Sequence, residues 1–161
     1  MGLDMYLIKR KKEDRKKDVW DFPFNTELIY WRKANAIHRF LCDNGEEIEQ
    51  EVSYKITKEV LEELFNKCMK VLEVAKTEKS MIENGKRYEN GEWKPILEEG
   101  FVITNQEEVE EILPTCKGFF FGSTAYDKYY LNDIERTRDE LSAILPTIDF
   151  ENEDIYYLAS W

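Results

Sequence analysis

The chain has few of the residues on which most metal sites and nucleophilic active sites depend. Its 161 residues include one histidine, His38, and three scattered cysteines, Cys42, Cys68 and Cys116, without a CxxC pair. An odd number of isolated thiols is not the framework of a disulfide-rich secreted protein. His38 and Cys42 are four residues apart, but two ligands do not make a structural zinc site. The sequence therefore predicts reduced thiols and no metal ion.

Long apolar runs and glycine-rich nucleotide motifs are also missing. No stretch approaches the roughly 20 apolar residues that span a bilayer, and no charged leader with an apolar core opens the chain. Neither a Walker loop nor a dinucleotide fingerprint is present, and Ser123 lacks the Gly-x-Ser-x-Gly context of a hydrolase elbow. We therefore expect an unexported cytoplasmic protein without a cofactor or a membrane contact.

Positive charge is scarce, because 23 basic residues stand against 34 acidic ones and the formal net charge is -11. Phosphate neutralisation needs an excess of basic residues, so general nucleic-acid binding is not expected. Residues 9–17 are an exception, with seven basic residues against two acidic ones. Such a run predicts a solvated loop. The acidic remainder suggests a surface that could imitate a phosphate backbone toward a basic protein.

The spacing of apolar residues predicts one α+β domain over residues 1–161, with a small mixed or antiparallel sheet and three main helices. Strands are expected near residues 3–7, 52–56 and 155–161. The clearest helix begins after Thr57, and its apolar residues recur at helical spacing: Leu61, Leu64, Phe65, Cys68, Leu72 and Ala75. Homo-oligomer formation is left open.

A second helix is predicted over residues 26–43, ended by Asn44-Gly45. Its expected core stripe consists of Tyr30, Ala34, Ile37 and Leu41. Asn90-Gly91 lies between two segments with strand character, which predicts a projecting hairpin. A short strand is expected at 101–103, and Thr104 with Glu107 predicts a capping box for a short acidic helix that ends before Pro114.

The most informative segment is residues 118–127, which predicts a buried strand at 119–121, a polar turn and then a helix at 125–145. Gly122 lets a ligand approach the backbone, Ser123 and Thr124 offer hydroxyls, and the free amides of the following helix attract an anion. An ordinary alternative also fits the residues. Thr124, with Asp127 three residues later, would cap the helix without any ligand.

Several blocks of the sequence are distinctive: MGLDMYL at 1–7, YWRKANAIH at 30–38, LPT at 113–115, GFFFGST at 118–124 with Tyr126-Asp127, and the final Tyr156-Tyr157 and Ser160-Trp161. In these blocks the sequence resembles a widespread family of small proteins of bacterial viruses and prophages. The resemblance implies a viral accessory protein in the cytoplasm of an infected bacterium, directed at host physiology or antiviral defence. It implies no particular site residue.

Two groups of residues form the predicted ligand-binding site: Trp31, Arg32, Asn35 and His38 from the predicted first helix, and Gly122, Ser123, Thr124 and Tyr126 from the turn. Trp31 would stack on a ring, and Arg32 or the adjacent lysine would neutralise a phosphate. The alternative is that Trp31 extends the core while Asn35 and His38 bond to nearby backbone.

Three functions are compatible with these residues. The first is a non-enzymatic accessory protein that binds a small anionic, nucleotide-like molecule and keeps it from a host receptor. The second is an acidic inhibitor that occupies a basic or nucleic-acid-binding surface of a host protein. The third is a small hydrolase that uses His38 and nearby carboxylates. Because no nucleophile is paired with a base in the sequence, a binding protein is favoured over an enzyme.

Overall fold

A computed structural model of the chain describes residues 2–14, 25–44 and 52–161. The strands within these residues are β1 (Asp4–Lys11), β2 (Thr26–Arg32), β3 (Ser53–Ile56), β4 (Thr77–Glu89), β5 (Glu92–Ile103) and β6 (Glu153–Ser160). The helices are α1 (Asn35–Asp43), α2 (Lys58–Val74), α3 (Gln106–Ile112) and α4 (Lys128–Ile144). The expected α+β class is confirmed.

Four of the strands form one antiparallel sheet in the order β2-β1-β6-β3. In and beside β1, Leu3, Met5 and Leu7 are fully buried, which is the alternation that the sequence predicted. Central strand β1 therefore directs one face into the core. The strands predicted near 52–56 and 155–161 are confirmed as β3 and β6, although β6 begins two residues earlier than expected.

Helices α2 and α4 contribute the other side of the core. The Thr57 hydroxyl accepts a hydrogen bond of 3.3 Å from the Val60 amide, so Thr57 is the N-cap of α2 as predicted. The buried face of α2 consists of Leu61, Leu64, Cys68 and Val71, and that of α4 of Tyr130, Ile134, Thr137 and Leu141. Both sets follow helical spacing, because each helix buries one stripe and leaves its charged face in solvent.

The single helix predicted over residues 26–43 is wrong. Its first half is strand β2, which pairs with β1 and buries Ile29 and Trp31 at alternate positions. Lys33 then adopts a left-handed conformation, with φ of 58°, and α1 begins two residues later. The run of β-branched and aromatic side chains suits a pleated strand, and pairing with β1 decides between the two structures. Asn44 follows the end of α1, while Gly45 lies outside the described residues.

The strand predicted at 119–121 is also wrong, because this segment is a turn on the surface. Phe121 N donates to Gly118 O over 3.2 Å, and Phe120 has φ of 64°. Phe119 is 75% exposed, whereas the Phe121 ring is buried against Trp161. Three consecutive phenylalanines imitate a buried strand in sequence, but only the third one enters the core.

Helix α4 begins three residues later than expected, and its cap is Asp127 rather than Thr124. The Asp127 carboxylate accepts hydrogen bonds from the amides of Tyr129 (2.9 Å) and Tyr130 (3.4 Å). A carboxylate at this position also interacts favourably with the helix dipole. The Thr104 capping box is likewise wrong, because Asn105 precedes α3 and the Thr104 hydroxyl donates to Lys76 O instead.

Strands β4 and β5 form the predicted hairpin, which is a separate two-stranded sheet. Asn90 and Gly91 have φ values of 53° and 85°, as a tight turn between antiparallel strands requires. The hairpin is longer than predicted, because β5 includes the expected strand at 101–103. A strand of this length spans roughly 40 Å. Gly85 lies in a bulge of β4, between the pairs that Glu83 and Lys86 make with β5.

The basic run at 9–17 is not a solvated loop throughout. Lys9 to Lys11 belong to β1, where Arg10 is buried and its Nε donates to Asn25 Oδ1 over 2.8 Å. Lys9 forms an ion pair of 3.2 Å with Glu153 on neighbouring strand β6. Residues 15–17 lie outside the described residues. Part of the local positive charge is therefore used within the sheet.

Replacing Asp127 by alanine is expected to lower the free energy of unfolding by about 1 kcal/mol, because two amides of α4 lose their cap. Asp127→Asn should retain most of that stability, since an amide oxygen can also cap a helix. Thr124→Ala is the matched control and should unfold like the wild type. Urea titrations of the three variants measure the difference. Equal losses for Asp127→Ala and Thr124→Ala would contradict the assigned cap.

Candidate functional site

A cleft of about 960 Å³ opens between four parts of the chain. Its lining comes from residues 32–37 at the start of α1, from the loop at 115–125, from the β4 bulge at 83–86 and from the first turns of α4. Residues far apart in the sequence therefore meet at one surface depression. A cavity of this size lies within the range that small-molecule sites occupy.

The side chain of Asn35 holds the loop at 115–125 against α1. Its Nδ2 donates to Phe121 O over 3.1 Å and to Ser123 O over 2.8 Å. Its Oδ1 accepts a hydrogen bond of 3.2 Å from Cys116 N. Asn35 is buried, so these bonds form away from bulk water. The predicted ligand residue Asn35 thus lines the cleft, but its polar atoms are occupied in positioning the wall.

Gly122, in the loop at 115–125, lies close to Lys33, in the turn between β2 and α1. Gly122 has φ of 87°, and a Cβ at this position would lie 3.1 Å from Lys33 Cβ. Lys33 N donates to Leu3 O over 2.7 Å, which fixes the turn between β2 and α1. A larger residue at 122 would be strained and would also crowd Lys33. Gly122 therefore lets the loop pack against Lys33, which is one of the cationic residues of the cleft.

Four cationic side chains line the cleft: Arg32, Lys33, Lys86 and Lys117. Among the residues that the structure describes, Lys33, Lys86 and Lys117 form no ion pair. Arg32 approaches Asp4 with a separation of 4.0 Å between Nε and Oδ1, and its side chain is 56% exposed. Three ammonium groups and most of a guanidinium are therefore available to an anion.

The wall formed by α4 has a different character. Burial raises the pKa of Asp133 to about 6, and the positive charge of nearby Arg136 offsets part of that rise. The Tyr129 hydroxyl donates to Glu98 on β5, and this bond raises the pKa of Tyr129 to about 12. Lys128 lies 3.4 Å from the same carboxylate. Glu98 thereby attaches the base of the hairpin to α4, beside the cleft.

Five of the eight predicted ligand residues line this cleft: Arg32, Asn35, Gly122, Ser123 and Thr124. Ser123 and Thr124 were predicted to lie at the start of the helix, beside its free amides. This prediction is wrong, because α4 begins at Lys128 and its first amides are bonded to Asp127. Ser123 Oγ instead accepts from Ala125 N over 3.1 Å, and Thr124 O accepts from the Thr115 hydroxyl over 3.1 Å. These two residues shape the loop rather than present a helix terminus.

The other three predicted residues lie behind the cleft. Trp31 is 1% exposed on β2, and its indole Nε1 donates to Thr137 Oγ1 over 2.9 Å. The expected stacking of Trp31 on a ligand ring is therefore not available. Tyr126 is also buried, and its hydroxyl accepts a hydrogen bond of 3.0 Å from Thr115 N.

His38 is enclosed by aromatic rings and has both ring nitrogens in contact with other groups. Nδ1 lies 2.7 Å from the Tyr157 hydroxyl, and Nε2 lies 3.5 Å from Cys42 Sγ. The rings of Phe121 and Trp161 meet it edge to face. Burial lowers the pKa of His38 to about 4, so the ring is neutral at pH 7. A hydrolase centred on this side chain would need an accessible imidazole, and His38 is not accessible.

Several cleft residues had no signal in the sequence. Lys86 comes from a strand bulge, Lys117 from a loop without regular structure, and Asn132 and Asp133 from a helix that also has a core face. Only the fold brings them together. Of the four cationic residues in the lining, only the adjacent Arg32-Lys33 pair was singled out in the sequence.

Metal-ligating side chains do not cluster in the described part of the chain, where no group of three or more histidine, cysteine or carboxylate residues could hold an ion. None of the helices in the described ranges has both the length and the apolar character needed to cross a bilayer. Comparisons with protein-family models, with curated proteins and with solved structures found no match.

Asn35→Ala is expected to destabilise the protein by about 2 kcal/mol or more, because one buried and two partly buried backbone groups lose their partner. Ser123→Ala, which removes one exposed hydrogen bond from the same loop, should cost less than about 1 kcal/mol. Urea unfolding measures both, and hydrogen exchange should show faster exchange at 115–125 in Asn35→Ala. A loss in Asn35→Ala no larger than that in Ser123→Ala would contradict the assigned role.

The free energy of unfolding should contain a term from His38 that falls as the pH decreases from about 6.5 to about 4. In this pH range His38 is protonated in the unfolded chain but stays neutral in the folded protein. The resulting loss of folding stability is at most about 3 kcal/mol. Asp133 has the opposite effect, since its raised pKa makes the folded state take up a proton first. The difference between wild type and His38→Gln isolates the histidine term. Parallel pH profiles for the two proteins would contradict the assigned environment.

Proposed function

We propose that this protein is a non-enzymatic binding protein that holds a small, nucleotide-like polyanion in the cleft and withholds it from a host receptor. The observation that supports the proposal is the set of four cationic side chains around one cavity, three of them without an ion pair among the described residues. In a chain with net charge -11, most cations can find a carboxylate. The four cations outnumber the three carboxylates of the lining, Glu83, Asp127 and Asp133, so the cleft has an excess of positive charge that favours an anion.

The walls of the cleft suit a ligand with two chemically different parts. Arg32, Lys33 and Lys117 would neutralise phosphate oxygens through charge-assisted hydrogen bonds. On the α4 side, Asn132 and Asp133 offer polar groups to the hydroxyl and N–H donors of a sugar or a base. A volume of about 960 Å³ accommodates a nucleotide or a dinucleotide. Inorganic phosphate alone would leave most of the cavity unfilled.

The biological part of the proposal comes from the resemblance to proteins of bacterial viruses. A virus gains if a small signalling molecule of its host is bound tightly and kept from the receptor that triggers defence. Sequestration requires affinity but no chemical step, which agrees with a cleft in which Asp127 and Asn35 already have protein partners. The site of action would be the cytoplasm of the infected bacterium.

A second candidate function is inhibition of a basic host protein by an acidic surface. Helix α3 carries four exposed glutamates, at positions 107, 108, 110 and 111, and none of them forms an ion pair within the described residues. Such a face could occupy a site that normally binds nucleic acid. This function needs no ligand in the cleft, so it replaces the first one if no small anion binds.

Calorimetric titration with a panel of nucleotides, cyclic nucleotides and cyclic dinucleotides tests the proposal. At least one member should bind the wild-type protein. Arg32→Gln, Lys33→Gln and Lys117→Gln should each weaken that binding roughly tenfold, which corresponds to about 1.4 kcal/mol. The reason is the loss of one direct contact with the phosphate.

Lys70→Gln is the matched control, because it makes the same change of charge on an exposed position of α2. Its effect should be limited to screened long-range attraction and should stay below about twofold. If no member of the panel binds, or if the Lys33 and Lys117 variants bind as tightly as Lys70→Gln, the cleft is not the proposed site.

A further inference from the structure

The hairpin exposes a stripe of large apolar side chains along one of its faces. Tyr88 pairs with Trp93 across the two strands, and their ring centroids are 5.4 Å apart. Leu97 lies four residues after Trp93 on β5 and pairs with Glu83, two residues from Met81. Because paired residues share a face and alternate residues of a strand lie on the same side, these four side chains face one way. We call Met81, Tyr88, Trp93 and Leu97 the hairpin stripe.

The opposite face of the hairpin is the one attached to the rest of the protein. Ile82 is buried there, and Glu98, its partner in the ladder, accepts from Tyr129 on α4. The hairpin stripe is therefore directed away from α4. Its residues are 54% (Met81), 64% (Tyr88), 67% (Trp93) and 56% (Leu97) exposed. Burial in the core of the same chain does not account for them.

The area and the shape of the stripe are those of an interface. Two aromatic and two aliphatic side chains, each more than half exposed, present on the order of 500 Å² of apolar surface, which equals the largest patch of a typical monomer. An isolated two-stranded hairpin is marginally stable in water, and a partner on one face would stabilise it. Standard interfaces bury about 800 Å² on each side, so the stripe by itself would form a small and weak interface.

The charges on the hairpin identify a second copy of the chain as the partner that fits. Two molecules of net charge -11 repel over most of their surfaces. The face that carries the hairpin stripe is different, because pairing and alternation place two cations and two carboxylates on it: Lys79, Lys86, Glu83 and Glu99. Two copies can therefore approach through this face without strong like-charge repulsion.

We infer that the protein forms a two-fold symmetric homodimer in which the hairpin stripes of two copies pack face to face. A two-fold axis brings the same patch of both chains together, so an apolar stripe is complementary to itself. The dimer would join two molecules through their hairpins. Its dissociation constant is expected in the micromolar range, because the apolar area is modest.

Sedimentation equilibrium of the full chain over a wide concentration range tests the dimer. Met81→Glu and Trp93→Glu should each raise the dissociation constant at least a hundredfold, because each places a charge in the apolar contact. Met69→Glu is the matched control, since Met69 is similarly exposed but lies on α2, and its dissociation constant should equal that of the wild type. Circular dichroism verifies that each variant is folded.

Hydrogen exchange of the wild type supplies a second measurement that needs no variant. The amides of β4 and β5 should exchange more slowly at concentrations where the dimer forms. A wild type that stays monomeric at every concentration overturns the inference, and so does a dimer that persists in both Met81→Glu and Trp93→Glu. A monomer whose stripe binds a different macromolecule also overturns it.

Discussion

The shape of the cleft depends on the three hydrogen bonds of the Asn35 side chain. This one amide joins the first residue of α1 to Cys116, Phe121 and Ser123, which are 81 to 88 residues further along the chain. The loop at 115–125 has no regular ladder of its own, so its backbone groups need such a partner. Without Asn35 the loop would lose three of the contacts that keep Gly122 beside Lys33.

Strain in the loop is consistent with this arrangement. Phe120 holds a left-handed conformation that costs a non-glycine residue about 1 to 2 kcal/mol. Its carbonyl accepts from Leu3 N over 3.2 Å, next to the bond between Leu3 O and Lys33 N. Leu3 thus joins the loop to the turn that follows β2. Together these backbone bonds and the Asn35 side chain hold the loop at 115–125 against α1 and against the turn that follows β2.

The sequence predicts regular elements well where one face is buried and the period is uniform. The alternation of Leu3, Met5 and Leu7, the Thr57 cap and the Asn90-Gly91 turn each indicated the structure that forms. Residues 26–43 failed because apolar positions there match helical spacing as well as strand alternation. The break falls at Lys33, where no glycine or proline marks a change of direction. Only pairing with β1 resolves that ambiguity, and pairing is a tertiary property.

Part of the candidate site could be predicted from the sequence. Arg32-Lys33 and Gly122 stood out as local features, and both line the cleft. Trp31 and His38 belong to the same sequence block as Arg32 and Lys33, yet both side chains are buried, Trp31 on β2 and His38 on α1. Lys86 and Lys117 depend on a bulge and on an irregular loop, whose positions no periodic pattern encodes. The site therefore combines residues between positions 32 and 134 that only the complete fold brings together.

We propose that the cleft holds a small polyanion inside the infected cell. Native mass spectrometry of the protein purified from infected bacteria tests this proposal when it is followed by denaturation and analysis of any released molecule. The expected result is a mass above that of the polypeptide and a released phosphorylated compound, with both reduced when Lys33 and Lys117 are replaced together by glutamine. A wild-type protein that carries only its polypeptide mass, in cells where defence signalling is active, would show that the cleft does not hold such a ligand.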